Sequence, residues 1–363
     1  MPERLKSLPH IVQRGDIKPV TGWMFRALGV LFALFCGGVF LAALGYHPFR
    51  VYGTMLEGAL GSPGMQRETI KLAIPLVLSS LAVLLAFKMR FWNIGAEGQI
   101  CAGAVAASYF AYFHADLPSW LLLPLMALGA IVFGGLWGLI PAWFKTRFGT
   151  NETLFTLMLN YIMLYFITYL REGPWRDPGG GFAATPRFPM QARLPEAYFP
   201  FVGPVHIGWI VMFVAVILMF VYLRYTKQGY EITVVGENEK TARYAGMPVK
   251  RIVLRTMFIS AGIAGLVGML QVSGSDRQLT DSVAGGRGFT AVSIAWLARL
   301  SPFGSLIVAF LFSIMQKGSS MMQTEYRIPA SMSDILQGII LFCVLGAEFF
   351  LKYRIVRRLK VTA

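Results

Sequence analysis

Apolar runs close to the length of a membrane span recur along this chain, and most are bounded by lysine or arginine. That recurrence constrains the fold more than any single motif. A helix that crosses the hydrocarbon core needs ~20 largely apolar residues. Inside a bilayer, backbone N–H and C=O groups must be paired within the segment or around a closed barrel. The composition, 56% hydrophobic and 14% charged over 363 residues, is well below the about 25% charged residues of soluble domains. An all-α, polytopic membrane protein is therefore expected. The formal net charge of +15 gathers in short segments beside the apolar runs, the positive-inside pattern. It points to anionic lipid headgroups as partner, not nucleic acid. Cys36, Cys101 and Cys343 lie inside apolar runs far apart in sequence, which indicates neither a disulfide framework nor a metal cluster.

The pattern predicts about ten transmembrane segments at a typical span length. Residues 1–26 form a basic arm (Arg4, Lys6, Arg14, Lys18, Arg26), placed in the cytoplasm by its charge. The transmembrane part covers 27–351, and the basic tail 352–363 (Lys352, Arg354, Arg357, Arg358, Lys360) is again cytoplasmic. The expected spans are 27–46, 70–87, 100–113, 120–140, 151–170, 207–223, 252–272, 289–300, 303–316 and 335–351. The third, eighth and ninth are short, so a count of eight or nine is also open. The first run follows a long polar arm and no small-residue cleavage site, and reads as a retained anchor. The connection 47–69 is external, contains glycine and proline, and leaves room for a short interfacial helix. The loop 171–206 is also external and rich in proline and glycine, and its arginines run against the inward bias of positive charge. Long loops cross largely regardless of charge.

Two polar, glycine-bearing stretches interrupt the apolar pattern. Phe91-Trp92-Asn93-Ile94-Gly95-Ala96-Glu97-Gly98-Gln99 precedes the third segment, and Gly285-Gly286-Arg287-Gly288-Phe289-Thr290 precedes the eighth. If the chain is five segments plus five, an odd number per half makes the halves inverted, and these stretches occupy matching places. Interrupted segments at such places point to a transport site. Trp92, Asn93, Glu97, Gln99, Asn160 and Phe289 supply the hydrogen-bonding and aromatic groups that a path for a neutral, hydroxyl-rich solute requires. Other readings stay open. Glu97 also suits the first turn of the third helix, where a carboxylate complements the dipole. Asn160 suits a bond to a neighbouring helix, and Trp92 an interfacial anchor.

Catalytic motifs are absent from the sequence: it has no Gly-x-x-x-x-Gly-Lys-Ser/Thr phosphate loop, no His-Glu-x-x-His and no Gly-x-Ser-x-Gly. The chain is not expected to be an enzyme or to hold a cofactor or metal. The internal segment 224–251 is more telling. Asn238 caps a predicted short helix running to Tyr244 or Ala245, with Gly246 as terminator and Pro248 beyond. Such a helix gains little stability alone, so a docked role is expected.

At these residues a resemblance emerges. Asn93-Ile94-Gly95-Ala96-Glu97-Gly98-Gln99, Asn151-Glu152-Thr153, Met158-Leu159-Asn160-Tyr161-Ile162 and Gly236-x-Asn238 with Ala242-Arg243-Tyr244-Ala245-Gly246 resemble the permease subunits of bacterial ABC importers. The closer likeness is to the nucleoside-uptake branch related to ribose and simple-sugar permeases. The resemblance runs in order from about Arg67 to Gly346. It implies an inner-membrane permease that moves a nucleoside, or a related ribose- or sugar-containing solute, by alternating access. It also implies a coupling helix at Gly236, Asn238, Ala242, Arg243 and Gly246 and a separate ABC ATPase subunit that binds ATP and Mg. A second permease subunit, similar or identical, and an extracytoplasmic solute-binding protein or lipoprotein complete the implied system. Some importer permeases carry Glu-Ala-Ala-x-x-x-Gly at the coupling helix; here Lys240-Thr241-Ala242 stands before Gly246, so only Ala242 and Gly246 match. The alternative is an ion-coupled secondary transporter with Glu97 as its ionisable site.

Overall fold

Each apolar run singled out in the sequence is helical in the structure, a computed structural model that describes residues 10–13, 19–179, 184–200, 202–329 and 331–356. Arg4, Lys6, Arg14 and Lys18 of the arm, Gly180 and Gly181 of the external loop, and Arg357, Arg358 and Lys360 of the tail lie outside those residues. In chain order the elements are β1 (His10–Gln13), α1 (Pro19–Ala43), α2 (Pro48–Leu60), α3 (Pro63–Lys88), α4 (Ala96–Phe113), α5 (Ser119–Phe148) and α6 (Glu152–Glu172). Then come β2 (Glu196–Phe199), β3 (Gly203–His206), α7 (Gly208–Tyr225), α8 (Lys227–Glu237), α9 (Glu239–Tyr244) and α10 (Val249–Leu270). A wide π-helical turn, Gln271–Asp276, extends α10. The chain closes with α11 (Arg287–Leu297), α12 (Pro302–Tyr326), α13 (Ser331–Lys352) and β4 (Tyr353–Val356).

Local chemistry sets the ends. The Ser62 hydroxyl accepts the Met65 N–H (3.3 Å) ahead of Pro63, at the start of α3. Asn151 accepts the N–H groups of Thr153 and Leu154 (3.0 and 3.2 Å) at the start of α6. Such side-chain acceptors satisfy donors that a helix leaves open at its first turn.

Among the described residues six helices are long and apolar enough to cross a membrane, or seven if the pair Leu31–Ala43 and Pro48–Leu60, bent by 113°, forms one span. That is fewer than the ten expected segments. α4 is diluted by Glu97, Gly98 and Gln99, and α11 has only 11 residues. Several boundaries also differ from expectation. α4 starts at Ala96, so Glu97 and Gln99 form its first turn. α12 runs on to Tyr326, because Lys317 to Ser320 are polar but contain no helix breaker of proline's strength. The 47–69 connection is mostly α2 and the start of α3. The helical fold also carries two short antiparallel pairs. β2 and β3 pair within the 171–206 loop, from Glu196↔His206 to Phe199↔Gly203, and β1 pairs with β4.

The chain divides into two compact units, Met1–Gly58 with Gly318–Ala363, and Ala59–Lys317. In the first, α1 packs on α13, the Tyr52 hydroxyl donates to the Leu34 carbonyl (2.9 Å), and Tyr46 meets Tyr326 edge-on (6.4 Å). In the second, α10 is the central helix, packed against α3, α4 and α5, with α11 against α3. Small residues allow this closeness, as they do where membrane helices associate. A Cβ placed on Gly103 of α4 would lie 2.3 Å from the Cα of Gly265 on α10. The buried Ser260 hydroxyl of α10 donates to the Ala82 carbonyl of α3 (2.7 Å). Gly103→Val must push α4 off α10. Overpacking of this kind costs about 1–3 kcal/mol or more, so the detergent-purified protein should melt at lower temperature; an unchanged melting curve would contradict the packing.

Candidate functional site

The turn after α3 brings the first polar stretch into the interior of the 59–317 unit. Asn93 is buried, and so is Gln99 in the first turn of α4; their side-chain amides pair reciprocally (Nδ2 to Oε1 and Nε2 to Oδ1, both 3.1 Å). The Asn93 Oδ1 also accepts the Gly95 N–H (3.0 Å). α6 grips the same segment. The Asn160 Oδ1 accepts the Gly98 N–H (2.8 Å), and its Nδ2 donates to the Ile94 carbonyl (2.9 Å). One turn earlier on α6, the Thr156 hydroxyl accepts the Ile94 N–H (3.3 Å). The two bonds of Asn160, the one to Thr156 and the one from Gly95 to Asn93 satisfy a bent backbone that an apolar interior could not leave unpaired, and the amide pair satisfies Asn93 and Gln99 themselves.

The Glu97 carboxylate ties this segment to a distant one. Its Oε1 accepts the Gly286 N–H (2.6 Å) and its Oε2 the Gly288 N–H (2.7 Å). Those amides are the first, otherwise open donors of α11, which has no side-chain cap of its own. Glu97 also lies in the first turn of α4, so one buried carboxylate serves the positive ends of two helices. The backbones touch there: a Cβ on Gly288 would lie 2.3 Å from the Glu97 nitrogen. No residue with a side chain fits. Further out, the Arg287 guanidinium donates to the carbonyls of Val283 and Ala284 (3.1 and 3.3 Å) and lies within electrostatic reach of both Glu97 and Asp276. Asp276 in turn accepts from Gln271 (2.8 Å).

The structure thus gathers Asn93, Glu97, Gln99 and Asn160 into one clamp and spends their polar groups inside the protein. Asn93, Asn160 and Glu97 each hold backbone groups, Gln99 holds the Asn93 amide, and Glu97 caps α11 from the first turn of α4. Trp92 and Phe289 differ. Trp92 is 46% exposed and stacks on Trp296 (5.7 Å, 28° between planes), with Phe87 against both (5.4 and 5.8 Å). Trp296 is 41% and Phe289 43% exposed, and they sit seven residues apart on α11, hence on one side. Sequence reading missed Thr156, Asp276 and Trp296, and, within the stretch 285–290 that it singled out, the roles of Arg287 and of the Gly286 and Gly288 amides. The signals for two of them were spacing: Thr156 precedes Asn160 by four, and Trp296 follows Phe289 by seven.

The internal segment forms the expected short helix. Asn238 accepts the N–H groups of Lys240 and Thr241 (2.9 and 3.2 Å), capping α9. Gly246, with φ of +75°, ends it, and the Met247 N–H returns to the Ala242 carbonyl (3.0 Å). Ala242 is buried, Arg243 pairs with Glu239 (2.6 Å), and Tyr244 is 92% exposed. At its root, Gly236 lies against the turn below the clamp: a Cβ there would lie 2.0 Å from the Lys88 carbonyl oxygen. Glu231 of α8 is bridged to Arg255 of α10 (2.9 Å). A cavity of about 380 Å³ opens beside α9, lined among others by Arg90, Lys145, Glu152, Glu239 and Lys250. Among the described residues no cluster of His, Cys, Asp and Glu could hold a metal ion.

Residues 67–345 match the family described as branched-chain amino acid transport system / permease component, and the chain belongs to that family: it is the multi-pass permease subunit of an ATP-driven importer. It is 35% identical over 336 residues to the glucose ABC transporter permease protein of Haloferax volcanii, covering 90% of this chain and 88% of that one. It is 30% identical to the nucleoside ABC transporter permease protein of Lactococcus lactis (87% and 89% covered) and 29% to the guanosine ABC transporter permease protein of Bacillus subtilis (90% and 94%).

Glu97→Gln keeps the size but offers one carbonyl oxygen for two N–H groups and sets an NH₂ against the other. A buried donor left unmet costs about 1–3 kcal/mol. The variant should therefore melt at lower temperature than the wild type; equal melting would show that the carboxylate does not hold α11.

Proposed function

We propose that this chain carries a nucleoside, or a related ribose- or sugar-containing solute, across the bacterial inner membrane by alternating access, driven by separate ATPase subunits that bind ATP and Mg. The observation that carries the reading is the knob at α9. A helix of six residues is too short to be stable on its own, yet this one is capped at both ends and presents an exposed tyrosine. Its root, Gly236, presses on the Lys88 carbonyl at the head of the turn that becomes the clamp. A push on α9 therefore has a short, stiff route to Asn93, α4, α6 and, through Glu97, α11.

For the solute, the clamp side chains are withdrawn, while Trp92, Trp296 and Phe289 remain open. Aromatic faces suit a base or the apolar face of a sugar, and the substrates in the relatives' names, glucose, nucleoside and guanosine, support that class. A second permease subunit, similar or identical, would complete the path, and an extracytoplasmic binding protein or lipoprotein would deliver solute. We place ten segments in the membrane with both termini cytoplasmic, α4 and α11 being half-spans of inverted halves whose N-terminal ends meet at Glu97. Cysteines introduced at Asp116 and Ser301 should then react with impermeant thiol reagents from opposite sides; labelling from the same side would refute that topology. Nothing in the site favours the ion-coupled alternative, because both oxygens of Glu97 are already engaged by backbone.

The test is uptake of labelled guanosine and of glucose into proteoliposomes holding both permeases, the ATPase and, outside, the binding protein. Uptake should require ATP. Gly236→Val, which must displace α8 from Lys88, should lower uptake about tenfold, the effect of ~1.4 kcal/mol on a transition state, while the ATPase subunits still co-purify. Uptake that survives without ATP and collapses with an ion gradient would overturn the proposal.

A further inference from the structure

The arginines of the 171–206 loop, which run against the inward bias of positive charge, have two different fates in the structure. Arg171 is paired with Asp281 (2.8 Å) and Glu172 (3.3 Å). Arg193 is held by the Phe188 carbonyl (3.0 Å) and the Met190 sulfur (3.3 Å). Arg176 and Arg187 are exposed, and neither is in an ion pair among the described residues. Both stand on the rim of one open cleft of about 360 Å³.

Its floor is aromatic and rigid. Tyr112 packs edge-on against Trp175 (5.7 Å) and Phe188 (5.2 Å), and its hydroxyl donates to the Pro186 carbonyl (3.0 Å). Phe113, the exposed last residue of α4, leans on Trp175 (6.1 Å). The Thr185 hydroxyl, donated to the Leu279 carbonyl (2.9 Å), fixes the loop that carries Arg187. Two exposed guanidinium groups thus border one cleft, and neither has an ion-pair partner among the described residues. Tyrosine, tryptophan and arginine around a fixed apolar floor are the residue types that dominate protein interfaces.

We propose that this cleft docks an acidic surface of the extracytoplasmic solute-binding protein, with a carboxylate taken between Arg176 and Arg187 and an apolar side chain seated on Phe113 and Trp175. The proposal rests on the importer reading and on the external placement of this loop. Arginine suits the role because its planar fork binds carboxylate through two parallel hydrogen bonds. Charges at an interface rim act chiefly on the association rate and its salt dependence. That sets the expected signature.

The complex of both permeases and the ATPase, held in lipid nanodiscs, is exposed to the solute-loaded binding protein of the same system, and association and dissociation rates are measured at low and at about 0.5 M salt, where the Debye length shrinks below ~5 Å. The wild-type association rate should fall steeply with salt. Arg176→Glu with Arg187→Glu should slow association about tenfold or more at low salt, with the gap closing at high salt, as steered encounters do. The pair Arg176→Lys and Arg187→Lys, which keeps the charge, should associate within about threefold of the wild type but dissociate faster, because lysine lacks the planar fork. A wild-type rate indifferent to salt, or a charge-reversed variant that associates as fast as wild type at low salt, would overturn the proposal. So would guanosine or glucose binding to the cleft without any binding protein and being lost in the charge-reversed variant. Failure of the importer reading looks different: the wild-type complex would then show no ATP-dependent uptake at all.

Discussion

One carboxylate in an apolar interior holds this molecule's centre together. Glu97 accepts the amides of Gly286 and Gly288 from its place in the first turn of α4. Taking a carboxylate out of water costs several kcal/mol even after relaxation, and only good partners offset that. Here the partners are the open donors of a helix N-terminus, which would themselves be costly if left bare. Each side of the contact removes the other's penalty. Arg287, anchored on Val283 and Ala284, adds a positive charge nearby. The short α11 therefore needs no cap of its own, and the glycine at 288 lets the two backbones meet.

The clamp of Asn93, Gln99, Asn160 and Thr156 extends the same logic to α3, α4 and α6. A chain that turns inside an apolar unit must pair every backbone group, and the amide side chains do so with short local bonds. The outcome is mechanical. The Lys88 carbonyl lies under Gly236 of α8 at one end of the turn, and Glu97 holds α11 at the other. Between them the turn is pinned by the bonds of Asn93, Thr156 and Asn160. Interiors packed in this way shift between discrete arrangements and do not bend continuously. On the proposed function, this is the route by which a displacement at α9 would reach the helix that carries Phe289 and Trp296.

Much of this was legible in the sequence. Apolar runs placed every main helix, and Asn151 and Asn238 marked two helix starts because their side chains cap helices wherever they stand. The Asn93–Gln99 and Gly285–Thr290 stretches stood out as expensive, and their likeness hinted at matching positions. What remained hidden was that they meet. No local pattern tells a carboxylate which distant amides it will serve, since the partners are backbone groups separated by nearly two hundred residues and carry no side-chain signature. The same reason concealed the roles of Asn160 and Thr156. Segment lengths misled where polar residues do not stop a helix, as in α12 beyond Gln316, and where a helix begins inside a polar stretch, as at Ala96.

Joined at Glu97, α4 and α11 should move as one body. Hydrogen–deuterium exchange of the Gly286 and Gly288 amides, followed in the assembled importer at rest and when trapped with ATP, tests it most directly. Exchange reports the opening of individual hydrogen bonds. Both amides should be strongly protected in both states and lose that protection only in Glu97→Gln. Rapid exchange in either state of the wild-type complex would contradict it.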